Sequence, residues 1–254
     1  NIKEQNKDCI LFYRLGDFYE MFFEDAITGS KALEITLTSR DCGEGKKAPM
    51  CGVPYHSVNS YINKLIDKGH KVAICEQLTD PKESKGIVER DIVRIITPGT
   101  LIGDELQDEK RNNYVLCAHK DNFGYYISLC DVSTGEFLYN EFSGKNAFNA
   151  MVREIIGYAP MELLIEKDSF LDENISFYIN KSYIKREDYS VYKDLFFNRL
   201  NGDKDAGSGC ITVCGMLLSY LLNTQKNSLN HIKKAKLIIS KNYMEIDNNA
   251  KKHL

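Results

Sequence analysis

No apolar run in this sequence approaches the roughly 20 residues that a bilayer-spanning helix needs. The N-terminus is polar and lacks the apolar stretch of a secretory signal. Both absences predict a soluble, cytoplasmic protein with no membrane partner. C-x-x-C pairs are also missing, although there are eight cysteines: Cys9, Cys42, Cys51, Cys75, Cys117, Cys130, Cys210 and Cys214. A structural zinc site needs such paired ligands, so the thiols read as free and mostly buried in a reducing compartment. Cys210 and Cys214 have the spacing to meet on one helix face, but core packing explains them better. Positive charge is not in excess, since 33 Lys and Arg face 36 Asp and Glu for a net charge of −3. This counts against nucleic-acid binding mainly through bulk charge and leaves room for binding through a local patch. No G-x-x-x-x-G-K-[ST] loop is present to hold a nucleotide phosphate; Ser143-Gly144-Lys145-Asn146 has no upstream Gly at the needed spacing. Internal repeats and long low-complexity segments are absent. The chain opens without Met and stops within NNAKKHL, which reads as a fragment or a trimmed piece.

What is there is a globular composition. The 254 residues, 43% hydrophobic and 27% charged, suffice for two domains with a core each. Residues 10–14 read as a buried strand. Asp17 then looks like a helix N-cap, with a helix to about Leu33 that sets Phe18, Phe22, Ala26 and Leu33 near one face. Residues 35–38 form a short strand and 41–47 a polar, Gly-rich loop with two lysines. Ser57 is placed to cap a helix ending at Asp67, with Tyr61, Leu65 and Ile66 inward. Residues 72–76 and 92–97 are strands, so the first domain is a mixed α/β sheet with covering helices.

Pro98-Gly99 ends that unit. The run 103–113 carries six charged residues with little periodicity, the best domain boundary in the chain. The second unit opens with strand-like segments at 114–118, 124–132 and 136–142, and Ser133-Thr134-Gly135 turns between the last two. A helix at 145–156, a strand at 162–165 and a long helix at 211–224 follow, which is a ribonuclease-H-like order. The expected organisation is a domain at 1–98, a linker at 99–113 and a second domain at 114–245.

The most telling run is 11–23, LFYRLGDFYEMFF. Asp17-x-x-Glu20 has the spacing of a capping box, which accounts for Glu20 with no ligand at all. Phe18, Tyr19, Phe22 and Phe23, however, surround the helix, and one core face cannot take all four. At least one aromatic is left exposed. An exposed Phe can wedge between stacked bases while a neighbouring side chain reads the edge of the disturbed base.

This run resembles the mismatch-recognition motif of the MutS family of DNA mismatch-repair proteins, in which Phe-x-Glu follows Gly-Asp. Residues 48–56 (APMCGVPYH) look like the family's second DNA-facing loop. Residues 72–80 (VAICEQLTD), 85–100 (KGIVERDIVRIITPGT) and 131–136 (DVSTGE) follow in the family's order and spacing, so the resemblance covers nearly the whole chain. It implies a mismatch-recognition domain followed by a ribonuclease-H-like connector domain, with 246–254 beginning the next, core domain. Phe18 would stack on the mispaired base and Glu20 hydrogen-bond to it. Lys46, Lys47, Met50, Pro54, Tyr55 and His56 would form a second DNA-facing patch. Mismatched double-stranded DNA is the implied partner, and this part of the family protein carries no catalysis, metal or cofactor. MutL binding, homodimer formation, and ATP with Mg would belong to the full-length protein.

The implied chemistry is coherent. A mispaired base stacks poorly, so the duplex kinks cheaply there and a protein that imposes the same bend everywhere discriminates by stiffness. A carboxylate only accepts hydrogen bonds; to donate to a ring nitrogen Glu20 must carry a proton. Left ionised on paired DNA, it repels. Two other readings remain. Asp131, at a strand end before Ser-Thr-Gly, resembles the first metal-binding carboxylate of ribonuclease-H-like nucleases and resolvases, though a two-metal site needs several converging acids and a turn-shaping role is simpler. Alternatively, the chain is only a protein-docking module.

Overall fold

Residues 9–22 fold as a hairpin, not as a strand followed by a helix. Strand β1 (Cys9–Leu15) pairs antiparallel with β2 (Phe18–Phe22), Leu15 opposite Phe18, so the turn is Gly16-Asp17 alone. Gly16 takes the positive φ of 60° that such a tight turn requires at its first position. The computed structural model describes residues 2–43, 45–77, 90–101, 112–175, 180–226 and 229–238. Helix α2 (Phe23–Leu33) starts only after β2; its N-cap is Phe22, with no side-chain cap, and Glu24 and Asp25 supply acid to the first turn. The expected capping box at Asp17 and Glu20 is therefore corrected. Alternation along β2 resolves the crowding of aromatics: Tyr19 and Met21 are buried while Phe18, Glu20 and Phe22 take the opposite face.

A short helix α1 (Ile2–Gln5) precedes this hairpin, and β3 (Thr38–Asp41), β4 (Lys47–Pro54), a 3-10 turn (Tyr55–Ser57), α3 (Val58–Asp67), β5 (Lys71–Gln77) and β6 (Arg90–Ile96) follow α2. The sheet order is β3-β4-β2-β1-β5-β6, with β5 parallel to β1 and the other neighbours antiparallel. The strand expected at 35–38 lies instead at β3, and most of the DNA-facing "loop" 48–56 is β4. Pro49, Gly52 and Pro54 are residues that usually break strands, which disguised it. One sheet face packs Phe12, Tyr19, Met21 and Val53 on α2 and α3 through Ala26, Ile62 and Leu65. Ser57 is the N-cap of α3 without a side-chain cap bond.

The second sheet has the order β11-β10-β7-β8-β9-β12. Strands β7 (Tyr114–Lys120), β8 (Tyr125–Asp131) and β9 (Glu136–Phe142) form the antiparallel meander read from the sequence. After α4 (Ala147–Tyr158), β10 (Glu162–Glu166) adds in parallel beside β7. Beyond α5 (Phe170–Asn174), β11 (Asn180–Ile184) adds in parallel beside β10, which completes the ribonuclease-H-like arrangement. Helix α6 (Tyr189–Asp194) runs into a π-helical turn (Leu195–Arg199), then comes α7 (Ser208–Gln225), and β12 (Ala235–Leu237) pairs with β9. Helix α7 covers one sheet face and is buried almost throughout, Cys210 and Cys214 included, while Met151, Ile155 and Leu171 fill the other face. The second unit thus has two cores, one on each side of its sheet.

The two sheets meet through a buried carboxyl. Glu162 Oε2 accepts from Thr97 Oγ1 at 2.5 Å and from the Gly99 N–H at 3.2 Å, and Oε1 accepts from Ser182 Oγ at 2.5 Å and Tyr220 OH at 2.6 Å. Beside it, Arg94 Nε donates to Gln225 Oε1 at 3.1 Å. Of the sequence motifs, residues 78–80 and 85–89 lie outside the described residues, as do most of the linker at 99–113, residues 239–245 of the second domain, and 246–254. Among the described residues no helix is long and apolar enough to cross a membrane.

Candidate nucleic-acid interface

Strand pairing collects half of the candidate residues on one sheet face. Residues directly opposite in a ladder point the same way. Phe18 lies opposite Pro54, Glu20 opposite Gly52 and Phe22 opposite Met50, while on the far side of β4 Thr38 faces Met50 and Arg40 faces Ala48. Phe18, Glu20, Met50 and Pro54 therefore share the face that α2 and α3 leave uncovered. Phe18 remains 49% exposed, a large apolar ring for which the fold provides no cover.

Glu20 is not bare. Arg40 Nη1 donates to Glu20 Oε2 at 2.7 Å, with the Glu20 side chain 19% and the Arg40 side chain 53% exposed. Arg40 also lines an open cleft of about 550 Å³ shared with Tyr13, Phe22 and Phe23. Sequence reading missed Arg40 because its closeness to Glu20 depends on the register of β3 on β4 and of β4 on β2. Gly52, opposite Glu20, leaves the carboxyl unscreened on that side. A side chain there would come within 3.3 Å of the Tyr19 carbonyl oxygen and 3.5 Å of Glu20 Cγ.

The remaining candidates flank this face. Tyr55 and His56 lie in the 3-10 turn just past Pro54, both exposed. The Tyr55 N–H donates to the Asp17 carbonyl at 2.9 Å, tying that turn to the β1–β2 hairpin. The Arg14 guanidinium stacks 3.4 Å from the Tyr55 ring centre, a cation–π contact that fixes the ring on the helix side of the sheet. Beneath it, Tyr19 donates its hydroxyl to Glu76; burial first, and then the Glu76 carboxylate, push this phenol well above its ordinary range, which keeps it a donor. Lys46 and Lys47 occupy the tip of the β3–β4 hairpin, at the opposite end of β4 from Pro54. Lys47 lies opposite Asp41, and by alternation it belongs to the face of Cys51 rather than that of Met50. The interface so assembled offers a stacking ring, an apolar shelf, a guanidinium–carboxylate pair and a basic tip, with no nucleophile activated among them.

Asp131 is engaged elsewhere. Its Oδ1 accepts from Ser133 N at 2.8 Å, Ser133 Oγ at 2.6 Å and Thr134 N at 3.3 Å, organising the β8–β9 turn. No group of three His, Cys, Asp or Glu side chains among the described residues is gathered to hold a metal ion.

Comparison with known proteins gives two matches that together span nearly the whole chain. Residues 1–105 match the family model for MutS domain I, and residues 113–233 match that for MutS domain II. The chain is 48% identical over 258 residues to the DNA mismatch repair protein MutS of Caldicellulosiruptor bescii, which covers 100% of this chain and 29% of the relative. It is 45% identical over 264 residues to that of Acetivibrio thermocellus, covering 100% of this chain and 30% of the relative. It is also 45% identical over 262 residues to that of Clostridium tetani, covering 100% and 29%. The chain therefore spans under a third of the length of these relatives.

Proposed function

The chain belongs to the MutS family, of which it carries domains I and II, and from that premise we propose that it recognises mispaired or unpaired bases in duplex DNA during mismatch repair. Phe18 enters the minor groove at a kink and stacks on the disturbed base, a contact worth about 1–3 kcal/mol. Glu20, two residues along the same strand face, hydrogen-bonds the base edge. Met50 and Pro54 line the groove beside the wedge, and the 3-10 turn with Tyr55 and His56 meets the backbone at the edge of that face. Lys46 and Lys47, roughly 20 Å away along β4 by strand rise, neutralise phosphates. The second unit, limits 114–245, serves as connector, joined to the recognition domain (1–98) through the linker 99–113, and 246–254 starts the core domain.

The observation that carries this reading is the exposed Phe18 ring on an open sheet face in register with Glu20, Met50 and Pro54. Chemistry other than binding is assigned to the rest of the whole protein. There, ATP and Mg drive signalling to MutL by a homodimer; the sequence of this chain carries no phosphate-binding loop.

A duplex with a photoreactive base at the mismatch tests the proposal. In the intact protein that carries this chain, crosslinking should map to Phe18 and fall sharply when the same base is correctly paired. Crosslinks confined to the second unit, or equal on both duplexes, would leave the first domain as scaffold for protein docking.

A further inference from the structure

The Arg40–Glu20 pair has an unusual reach. Arg40 sits opposite Ala48 while Glu20 sits opposite Gly52, so the guanidinium runs diagonally over β4 to meet the carboxylate. The stretch of β4 that it crosses presents Ala48, Met50 and Gly52 on this face. A long arginine side chain held in one geometry is entropically costly to keep in place, and an exposed pair of this kind is weak. A phosphate is a better partner, because it can take two parallel N–H bonds from the guanidinium where Glu20 takes one. The open cleft beside Phe22 and Phe23 gives the guanidinium room to turn.

We infer that Arg40 is a specificity-determining residue of this face: it holds Glu20 while no DNA is bound and exchanges the carboxylate for a backbone phosphate when a kinked duplex is seated, freeing Glu20 for the base. The inference rests on the reading of Phe18 and Glu20 given above. Two consequences follow from the geometry. Without DNA the face presents a neutral pair, so a polyanion can approach it. On a duplex that does not bend onto Phe18, no phosphate reaches Arg40, Glu20 stays engaged, and the base contact is withheld.

A double-mutant cycle in the intact protein that carries this chain tests the exchange. Wild type, Arg40→Ala, Glu20→Gln and the double mutant are titrated against mismatched and matched duplexes over a salt series. Exchange sets the loss of the Arg40–phosphate contact against release from Glu20. Arg40→Ala should therefore weaken mismatch binding about two- to fivefold less in wild type than in the Glu20→Gln background. The salt slope on the mismatched duplex should fall by about one in either background. Equal losses in both backgrounds, or an unchanged slope, overturn the exchange. Arg40→Gln, with a side chain suited to an exposed edge strand, should repeat the result. Phe18→Ala run alongside separates the two ideas. If it abolishes mismatch preference while the cycle is additive, only the exchange fails; if it leaves the preference intact, the wedge reading fails and takes the exchange with it.

Discussion

Gly52 stands directly opposite Glu20 in the β2–β4 ladder and is exposed, whereas its neighbours Cys51 and Val53 are fully buried. Across from the Glu20 carboxylate, the strand carries no side chain. Gly52→Val should crowd Glu20 and the Tyr19 carbonyl, costing about 1 kcal/mol of stability. In the intact protein it should bring mismatched-duplex affinity close to that for matched duplex. A melt and paired binding titrations check this; unchanged discrimination would show that no base edge enters beside Glu20.

Glu20→Gln should alter discrimination more than affinity. The amide keeps a donor and removes the charge that holds Arg40, so the guanidinium is no longer withheld from a phosphate on correctly paired DNA. Binding to matched duplex should rise relative to mismatched duplex at fixed salt. Because β2 is a strand and α2 starts after it, no helix cap is removed and the melting temperature should hardly move. An equal matched-to-mismatched ratio in mutant and wild type would deny Glu20 a part in recognition.

Much of the architecture was legible where periodicity is strong. The apolar runs of β1, β5 and the β7–β9 meander, and the buried α7, follow from burial on both faces or from plain alternation. The hairpin β1–β2 was misread because Asp17-x-x-Glu20 imitates a helix start, while the Gly16-Asp17 turn and the alternation of Tyr19 and Met21 were the better signals. Strand β4 hid behind Pro49, Gly52 and Pro54. The short β11, β12, α5 and α6 are too brief to show a period. Within the site, Phe18 and Glu20 were visible as a motif. Arg40 was not, since a pair bridging three strands exists only once register is fixed.

The cysteines divide by burial. Cys42 is exposed next to the β3–β4 tip and the other seven are buried. Burial pushes the Cys9 and Cys210 thiols up to about 12 and those of Cys51 and Cys75 up to about 11, with Cys117, Cys130 and Cys214 also raised. At pH 8 they are both protonated and covered. One thiol of the native chain should react rapidly with a disulfide reagent, and all eight after unfolding. Rapid modification of several thiols under native conditions would contradict the packing described.

Glu162→Ala should strike the junction between the two sheets. It leaves the hydroxyls of Thr97, Ser182 and Tyr220 without their shared acceptor. Bonds to a buried carboxyl are among the stronger ones, so a loss of roughly 3 kcal/mol or more is expected. Urea unfolding should show a lowered midpoint. A loss under about 1 kcal/mol would mean that water replaces the carboxyl cheaply.

The wedge is tested most directly by comparing Phe18→Ala with Phe12→Ala in the same protein. Phe12 is fully buried and Phe18 about half exposed, so the two truncations remove the same ring from different settings. Phe12→Ala should cost about 3–5 kcal/mol of stability. Phe18→Ala should leave the melting temperature close to wild type and abolish the preference for mismatched over matched duplex in the intact protein. A large fall in melting temperature for Phe18→Ala, or a mismatch preference that survives it, would contradict the account.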